Sequence, residues 1–393
     1  MLKNECKILF LNQMAGPLFR ELAEDMAEEF GPAVLYTGHP DAISVGGKKG
    51  LTIEPAPQYD RKNLLTRLFS WIHYFFKAFV KIYHYSPDAT LFVVSNPPFL
   101  GLAGVLFKKL RQQKCVILVY DVYPDLLVGI GRIKKGIMTR TWDYLNRIIY
   151  RNADCVITIG HDMVARLETK IDFVPSVKPI CIPPWVDVEF VKTIPKVQNW
   201  FAQEHDLVEK TVVLYSGNMG HSHDIEFILE AAKRLSDESG IQFVFIGEGA
   251  KWVLVKETID RFNLNNITLV PFQPENVLPY SMSCGDIGIV AYQRGSQGYM
   301  MPSKAFYYMA AGLVPVIISY VATDLTSMVQ EKDCGIWIKG DDIEGMVKEI
   351  LRLHRNKGIL NYYKNAARKT VEADFSRRNS SQFIEMFKKS VLQ

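Results

Sequence analysis

Short, continuous runs of apolar residues recur along the whole chain, separated by longer stretches with the residue spacing of amphipathic helices. Runs of this length, rich in Val and Ile, are typical of strands buried on both faces of a parallel sheet. They predict strands at 7–12, 33–38, 90–94, 115–120, 155–159, 178–182, 211–216, 241–247, 266–270, 286–292, 314–318 and 335–338. Because strands alternate with helices, we predict an α/β chain of two Rossmann-like, doubly wound domains.

A change in sequence character predicts where the two domains meet. The segment Ile182-Pro-Pro-Trp-Val-Asp187 follows the last strand of the first half, and a polar, irregular stretch at 192–210 precedes the next strand. We therefore predict an N-terminal domain at 1–188 and a C-terminal domain at 189–376. Two such domains that face each other form a cleft, and open α/β sheets bind ligands outside the carboxyl ends of their strands.

Composition excludes several classes of protein. The 393 residues are 48% hydrophobic, which is typical of a globular chain, and a net charge of only +4 argues against a dedicated nucleic-acid-binding protein. The six cysteines form no CxxC pair, so we expect neither a zinc site nor a disulfide framework. Because Glu5 interrupts the short N-terminal apolar stretch, we expect no signal peptide and a cytoplasmic protein.

Charge is distributed unevenly along the chain. Between Arg61 and Lys114, nine basic residues and one acid, Asp88, give a net charge of +8 in a chain whose total is +4. The same window contains an aromatic, helix-compatible stretch at 64–85. A basic, aromatic helix indicates a membrane-surface element, because anionic lipid attracts basic residues. The alternative is an ordinary amphipathic helix with one face in the core.

The uncharged stretch 89–107 is long enough to raise the question of a transmembrane helix. Its centre reads Ser95-Asn-Pro-Pro98, and two prolines would break a helix in lipid. We therefore predict a buried strand, a loop and a helix here, and no transmembrane helix.

Glycine-containing loops follow several predicted strands. Gly16 and Pro17 link the first strand to the first helix, Gly217 follows the first strand of the second domain, and Gly247 follows the next. Gly16 would permit the turn, and Pro17 suits the first position of a helix. Backbone N–H groups in such loops are suited to an anionic phosphate. These loops contain neither GxGxxG nor GxxxxGK[ST], which argues against a standard dinucleotide site or a P-loop.

The most informative segment lies at 298–318. Pro302 and Ser303 predict the start of a short helix, and Lys304 falls in its first turn. A cation there opposes the helix dipole, so its position favours an anionic ligand. The alternative is a lysine that simply faces solvent.

These motifs, taken in order, resemble a known family. Gly217-Asn218, His223-Asp224, Gly247-Glu-Gly249 and the segment PSKAFYYMAAGLVPVI at 302–317 resemble two-domain, GT-B-type glycosyltransferases of family 4. Four further segments are similar to the bacterial branch that builds O-antigen, capsule and colanic-acid-type polysaccharides: Ser95-Asn-Pro-Pro98, Tyr120-Asp-Val-Tyr-Pro-Asp125, Ile182-Pro-Pro-Trp-Val-Asp187 and Pro302-Ser-Lys304. The resemblance extends from Ile8 to about Phe375, and it implies a C-terminal helix at about 377–393 that crosses back onto the first domain.

The resemblance implies a retaining transfer of a hexosyl or N-acetylhexosaminyl group from a nucleotide-sugar, usually a UDP-sugar. The nucleotide would bind the C-terminal domain and the acceptor, a polyprenyl-diphosphate-linked saccharide, the N-terminal domain. No metal or other cofactor is expected, because helix N-termini and basic side chains hold the diphosphate and stabilise the leaving group. We expect residues 61–85 and 108–114 to dock the protein peripherally on the inner face of the plasma membrane.

The chain departs from the family pattern at the donor site. Where the family usually has Arg and Lys in the first loop of the C-terminal domain, this chain has Asn218 and His223. Where the family often has two glutamates, it has Tyr299 and Tyr307. We expect Lys304, with Arg294, to supply the missing positive charge, and Tyr307 either to contact the ribose or to be a core residue.

Several other residues are candidates, each with a structural alternative. Asp121 is expected to contact the acceptor hydroxyl or the donor sugar, or else to cap a turn. Asp125 and His161 are further acceptor-side candidates, and the alternative for His161 is a helix cap. Glu248 is either a donor contact or an exposed turn residue. The loop at Phe272 is where family members hold the base through backbone atoms.

Two other functions remain open from the sequence. A nucleotide-sugar epimerase uses the same fold, but it needs acid and base residues that we cannot assemble here. A non-catalytic partner subunit would explain the substitutions at 218, 223, 299 and 307.

Overall fold

The computed structural model describes residues 5–60, 64–171 and 178–391 of the chain. These residues form two compact units. Unit 1 comprises the chain up to Asp125, Ile133–Pro183 and the residues from Arg378 onward, and unit 2 comprises Leu126–Arg132 and Pro184–Arg377.

Unit 1 is built on a seven-stranded sheet in the order β3-β2-β1-β4-β5-β6-β7, and every strand pair is parallel. Its strands are β1 (Ile8–Leu11), β2 (Ala33–Thr37), β3 (Leu51–Pro55), β4 (Thr90–Val94), β5 (Cys115–Val119), β6 (Cys155–Thr158) and β7 (Ile180–Cys181). Its helices are Pro17–Phe30, Pro40–Val45, Leu64–His84, Leu100–Arg111, Ile137–Asn152, His161–Ile171 and Ser380–Ser390. A short helix, Asp125–Gly129, begins in unit 1 at Asp125, and its remaining residues belong to unit 2.

Unit 2 has a six-stranded parallel sheet in the order β10-β9-β8-β11-β12-β13. Its strands are β8 (Thr211–Ser216), β9 (Ile241–Ile246), β10 (Ile267–Val270), β11 (Ile287–Ala291), β12 (Val314–Ser319) and β13 (Ile336–Lys339). Its helices are Trp200–Glu204, Ile225–Arg234, Trp252–Phe262, Leu278–Ser283, Lys304–Ala310, Asp324–Glu331, Ile343–Arg355 and Lys357–Asp374. Single 3-10 turns lie at Lys196–Gln198, Glu275–Val277 and Arg377–Asn379.

The central strand β8 of unit 2 is apolar along its middle because both faces of the sheet are covered there. Along β8, Val212 and Leu214 pack into one core cluster, whereas Val213 and Tyr215 pack into the other. Alternate side chains of a strand point to opposite faces, so a strand covered by helices on both sides needs no polar positions.

The predicted α/β architecture of doubly wound parallel sheets is confirmed, and each predicted strand is present within one or two residues of its predicted bounds. The prediction missed β3, which lies at the edge of its sheet and is only partly buried. Its segment includes the polar residues Thr52 and Glu54 and follows a glycine-rich stretch, so it lacks the apolar run that marks the other strands.

The stretch 89–107 folds as the sequence predicts. β4 ends at Val94, a loop contains Pro97 and Pro98, and a helix begins at Leu100. Among the described residues, the structure contains no helix that is long and apolar enough to span a bilayer.

The C-terminal part of the chain contributes to both units. In unit 2, the Arg368 guanidinium donates hydrogen bonds to the carbonyl oxygens of Val188 and Val191, at 2.9 Å each, and to that of Ala310. It thereby fixes the start of unit 2 against the end of the helix Lys304–Ala310. In unit 1, the helix Ser380–Ser390 packs on the helix Pro17–Phe30, with the rings of Phe387 and Phe30 4.8 Å apart.

Candidate functional site

Two glycine loops touch at the carboxyl ends of β8 and β9. The backbone N–H of Gly217 donates to the carbonyl oxygen of Ile246 at 2.9 Å, and that of Met219 donates to the backbone carbonyl oxygen of Glu248 at 2.7 Å. Gly217 and Gly247 have φ angles of 119° and 138°, where side chains are strained, and a Cβ atom at Gly247 would overlap the Gly217 carbonyl. Glycine is therefore required at Gly247 both for conformation and for space.

Lys304 is the first residue of the helix Lys304–Ala310, and it reaches the Gly217 loop. The residue is partly exposed, but its Nζ atom is buried and has no hydrogen-bond partner among the described residues. Nζ lies 3.8 Å from the centre of the Tyr215 ring and 3.9 Å from the position that a Cβ atom at Gly217 would take. Burial lowers the pKa of Lys304 to about 7. The Lys304 amine has no hydrogen-bonded carboxylate among the described residues, and it lies beside a glycine loop whose backbone is not covered by a side chain. This arrangement is suited to an anionic ligand.

His223 is a second nitrogen base beside the same tyrosine. It is buried, its Nδ1 atom has no hydrogen-bond partner within the part of the chain that the structure describes, and its ring lies 6.2 Å from that of Tyr215. Burial, followed by the nearby cation of Lys304, holds the pKa of His223 well below its usual value. The imidazole is therefore neutral near pH 7 and can accept or donate a hydrogen bond.

Buried tyrosines support the loop that carries Gly217. The hydroxyl of Tyr308 accepts a hydrogen bond from the backbone N–H of Ser216 at 2.8 Å, and that of Tyr215 donates to the carbonyl of Asn218 at 2.8 Å. Gly288 lies against the Tyr308 ring so closely that a Cβ atom would overlap it. The supporting role of Tyr308 could not be predicted, because nothing in the sequence distinguishes this residue from Tyr307, which is only partly buried.

A second set of contacts holds the loop around His223. Lys251 donates from Nζ to the His223 carbonyl at 2.7 Å and also binds Glu226 and Gln293. Asp224 caps the helix Ile225–Arg234 through its carboxylate, which accepts from Phe227 N–H at 3.1 Å. This set was not predicted from the sequence, because it depends on three segments that are distant along the chain.

Arg294 is joined to this loop through an aromatic ring. The Tyr320 hydroxyl donates to Oδ2 of Asp224 at 3.0 Å, and the guanidinium of Arg294 lies 4.3 Å from the centre of the Tyr320 ring. Arg294 itself is exposed. Stacking on Tyr320 therefore positions a cation that remains accessible to a ligand.

The structure brings part of the predicted donor set together. Gly217, Gly247, His223 and Lys304 surround the carboxyl ends of β8 and β9, as described above, and Asn218 and Glu248 are exposed on the same loops. The remaining predicted residues of unit 2 lie as follows: Pro302 is buried, Ser303 is exposed and does not cap the helix with its side chain, and Phe272 is 63% exposed in the loop after β10. Gly16 lies in unit 1.

Gly16 corrects one expectation. Its φ angle of −72° is open to any residue, and a Cβ atom added there would meet nothing within 4 Å. The turn therefore does not depend on the conformational freedom of glycine, which the sequence led us to expect would matter here. Pro17 does begin the following helix, as predicted.

Asp121 in unit 1 borders a small cavity. It follows β5 by two residues, and burial raises the pKa of its carboxyl to about 6. The cavity is also lined by Ser95, Phe99, Tyr123 and Trp142, and it measures about 20 Å³, enough for roughly one water. Nε1 of Trp142 is buried without a hydrogen-bond partner in the described residues. Trp142 has no motif around it, and sequence reasoning missed it.

The two other acceptor-side candidates of unit 1, Asp125 and His161, do not line this cavity. Asp125 forms an ion pair of 2.6 Å with Lys170, a buried lysine that also pairs with Asp143. Its carboxylate is therefore already engaged with a cation. His161 is the exposed first residue of the helix His161–Ile171.

Residues 210–356 match the family model described as Glycosyl transferases group 1. The chain is 26% identical over 308 residues to an Escherichia coli (strain K12) protein named as colanic acid biosynthesis glycosyl transferase WcaI, covering 76% of this chain and 74% of that protein. It is 28% identical over 284 residues to a Pseudomonas aeruginosa protein named as glycosyltransferase WbjE, covering 71% of this chain and 70% of the relative.

Solved structures share the fold. The crystal structure of Anabaena Alr3699/HepE in complex with UDP-glucose has a TM-score of 0.75 at 15% identity, covering 98% of this chain and 99% of that one. Sucrose-phosphate synthase from Thermosynechococcus elongatus has a TM-score of 0.74 at 17% identity, covering 98% of each chain.

These findings define a glycosyltransferase with the GT-B fold. Within it, the match to the Glycosyl transferases group 1 model covers residues 210–356. That segment contains the Gly217 and Gly247 loops, His223 and Lys304.

Proposed function

We propose that the chain transfers a sugar from a nucleotide-sugar, a UDP-sugar, to a lipid-linked saccharide acceptor, with retention of configuration, in the synthesis of a bacterial surface polysaccharide of the O-antigen, capsule or colanic-acid type. The Nζ atom of Lys304, which has no hydrogen-bond partner in the part of the chain that the structure describes, carries the proposal, because beside the Gly217 loop it provides a site for a diphosphate. The name of the relative WcaI refers to colanic acid, and solved neighbours of this fold are complexes with UDP and UDP-glucose.

The donor diphosphate binds unit 2 at the Gly217 loop. Its oxygens accept hydrogen bonds from loop N–H groups and from protonated Lys304, and exposed Arg294 adds a second cation. During transfer the bond between the sugar C1 and the diphosphate oxygen breaks, and a bond between C1 and the acceptor oxygen forms. The acceptor proton passes to the leaving phosphate. Lys304 stabilises the charge that develops there, so the reaction requires no metal or other cofactor.

The acceptor binds unit 1 near Asp121. With a pKa of about 6, this carboxyl is mostly ionised at pH 7 and can accept a hydrogen bond from the acceptor hydroxyl. The buried N–H of Trp142 offers a donor in the same cavity. The cavity is too small for a sugar ring, so we propose that only a hydroxyl group or a water enters it.

We expect UDP to stabilise the protein selectively. A ligand at 100 times its dissociation constant adds about 2.7 kcal/mol to the free energy of unfolding. Thermal unfolding with UDP, GDP, ADP, CMP and NAD, each at the same excess, measures this. A shift with UDP supports the donor site, whereas no shift with any nucleotide would contradict it and favour a non-catalytic partner subunit.

We further propose that the helix Leu64–His84 docks the protein on the inner face of the plasma membrane, which makes it a cytoplasmic, peripherally bound protein. One face of this helix packs inward through Tyr74, Ala78 and Ile82. The opposite face exposes large apolar side chains, each between 41% and 72% accessible: Leu65, Leu68, Phe69, Ile72, Phe76, Val80 and Tyr83. One apolar face of this helix is therefore buried in the core of unit 1, and the second apolar face remains exposed and can contact lipid.

The basic residues of this window have different roles. Arg61 and Lys62 lie outside the described residues. Lys81 forms an ion pair with Glu54, and Lys108 binds Asp154 at 3.0 Å. Arg111 donates to the carbonyls of Ile82, Tyr83 and Tyr85. The exposed cations of this surface are therefore carried by Lys77, Lys109 and Lys114, of which Lys114 is also 3.9 Å from Asp154.

The variant Phe69→Glu/Phe76→Glu should reduce binding to anionic vesicles at least tenfold, because it places two charges in the apolar face. Lys77→Glu should reduce binding by about fivefold at low salt and by less at high salt. Lys81 is unsuitable for this test because its charge reversal would also break the ion pair with Glu54. Vesicle sedimentation measures both variants, with Val253→Glu, an equally exposed apolar position of unit 2, as the control. Unchanged sedimentation would contradict docking by this helix.

A further inference from the structure

The helix Ile137–Asn152 begins with apolar side chains that face solvent. Ile137 is 83% exposed, Met138 64% and Tyr144 62%. Ile137 and Tyr144 are seven residues apart, so they lie on the same side of the helix, two turns apart. The first turns of a surface helix normally carry polar residues on their outer side, so this segment has an apolar surface that the protein itself does not cover.

Positive charge surrounds this apolar tip. Residues 133–142, the part of this segment that belongs to unit 1, contain three basic side chains and no acidic one. Lys134, Lys135 and Arg140 are exposed. The first acid that follows, Asp143, is already bound to Arg147 at 2.8 Å and to Lys170. Exposed apolar side chains ringed by cations fit the interface of a bilayer that contains anionic lipid.

The tip belongs to the same helical layer as Leu64–His84. The rings of Phe79 and Phe107 lie 4.9 Å apart, which joins Leu64–His84 to Leu100–Arg111. A Cβ atom at Gly101 would lie 2.6 Å from Ile149, so the helix Leu100–Arg111 is also in close contact with Ile137–Asn152. These helices connect β3 to β4, β4 to β5 and β5 to β6 in one direction along the sheet, and right-handed crossovers place them on one face.

The opposite layer of unit 1 has a different surface. It contains the helices Pro17–Phe30, Pro40–Val45 and Ser380–Ser390, and Val45, 52% exposed, is the one exposed large apolar side chain among their described residues. Exposed apolar surface in unit 1 is thus concentrated on one layer. The middle helix of that layer adds two more such residues, Leu106 and Leu110, which are 41% and 69% exposed.

The tip also lies at the edge of the sheet where Asp121 is found. A helix that joins parallel strands runs back against them, so its first residue lies near the carboxyl ends of the strands. Asp121 follows the carboxyl end of β5, and its cavity is lined by Trp142 and Asn146 of this same helix. Ile137 and Met138 precede Trp142 by only five and four residues.

We propose that residues 134–144 form a second membrane-contacting surface, specific for anionic lipid, beside the exposed face of Leu64–His84. Contact through both surfaces puts the Asp121 cavity at the bilayer surface, where the diphosphate of a lipid-linked acceptor lies. This inference rests on the proposed function, and it adds the segment that orients unit 1 on the membrane.

Vesicle sedimentation of the full chain tests the inference, using phosphatidylcholine vesicles with and without 30% phosphatidylglycerol. We expect Ile137→Glu/Met138→Glu to weaken binding at least tenfold. We expect Lys134→Glu/Lys135→Glu to weaken it at least about 25-fold at low salt, since the loss of each lysine charge accounts for about fivefold and the added glutamates are repelled by the lipid, and by less at high salt. Val253→Glu is the matched control and should bind as the unaltered protein does, and all variants should keep the thermal shift with UDP.

The outcomes separate the inference from the proposed function. If Phe69→Glu/Phe76→Glu lowers binding and the tip variants do not, docking by Leu64–His84 stands and the second surface is overturned. If the unaltered protein sediments with neither kind of vesicle, both membrane proposals are overturned. The shift in thermal unfolding with UDP still tests the donor site. If the tip variants dissociate a dimer in sedimentation velocity and leave vesicle binding unchanged, the tip contacts a second copy of the chain and the lipid assignment is wrong.

Discussion

Lys304→Met should raise the dissociation constant for UDP by about 10- to 100-fold, or ~1.4–2.8 kcal/mol. The loss corresponds to one charge-assisted hydrogen bond between Nζ and a phosphate oxygen, which is worth about 1.5–3 kcal/mol. The same variant should keep or increase the stability of the protein without ligand, because Nζ is buried with no hydrogen-bond partner among the described residues. Calorimetric titration with UDP and urea unfolding measure the two effects.

Lys196→Met is the matched control, since Lys196 is another largely buried lysine of unit 2 that forms an ion pair with Asp286. It should lower stability and leave the affinity of the folded protein for UDP unchanged. If Lys304→Met instead lowers stability and leaves UDP affinity intact, then Lys304 is a structural residue and the proposed donor site is wrong.

The pH dependence of Lys304 follows from the same burial. Its pKa is about 7 in the folded protein and near its ordinary value of 10.5 in the unfolded chain. Between these values the unfolded state binds more protons, so the stability of the protein without ligand should gain a rising contribution as pH increases from about 7 to 10.5. UDP binds the protonated amine, so UDP affinity should fall over the same range. Both dependences should be absent in Lys304→Met.

Asp286→Ala should destabilise the protein by about 3–5 kcal/mol, because it leaves two cations beside a buried site without their shared partner. The carboxylate pairs with Lys196, lies 3.0 Å from the Nζ of Lys364 and accepts a hydrogen bond of 2.9 Å from the backbone N–H of Val212. It is only 8% exposed. Urea unfolding at pH 7 measures the loss. Glu344→Gln, at an exposed ion pair with Arg234, should change stability by less than about 0.5 kcal/mol.

Acid should remove the same stabilisation. Burial alone would raise the pKa of Asp286, but the cations of Lys364 and Lys196 outweigh it and hold the pKa below its ordinary value of 3.8. Its contribution to stability is therefore fully present above pH 3.8 and is lost as pH falls through the lower, folded-state pKa. Below that pH, Asp286→Asn and the unaltered protein should converge in stability. A constant difference between them down to the acid unfolding transition would contradict this assignment.

The sequence predicts the sheets well because strands that are buried on both faces leave a continuous apolar run, as in β8. β3 lacks that signal, since an edge strand such as Leu51–Pro55 can alternate polar and apolar residues. The loops of Gly217 and Gly247 could also be predicted, because they follow strands whose ends are visible in the sequence. Lys304 could be located on its helix, but its burial could not, because burial depends on how Tyr215 and the helix pack together.

The supporting residues escaped prediction for a related reason. Tyr308 bonds the backbone 92 residues earlier in the chain, and Lys251 joins loops that are 25 to 42 residues away. No local pattern marks such partners. Asp125 shows the converse problem: its motif suggests an acceptor contact, yet the ion pair with Lys170 becomes visible only when distant segments are folded together.

The helix Ser380–Ser390 has a consequence for how the chain folds as it is made. Unit 1 receives this last helix only after all of unit 2 has been synthesised, roughly 200 residues after Pro183. At ribosomal rates of about 5–20 residues per second, the delay is about 10–40 s. During that time the apolar surface that Phe387 and Met386 later cover, including Phe30 and Cys155, faces solvent or chaperones. The nascent N-terminal half is therefore prone to aggregate until the last helix is made. A fragment that ends near Pro183 lacks this helix, so its apolar surface should remain exposed and the fragment should be prone to aggregate.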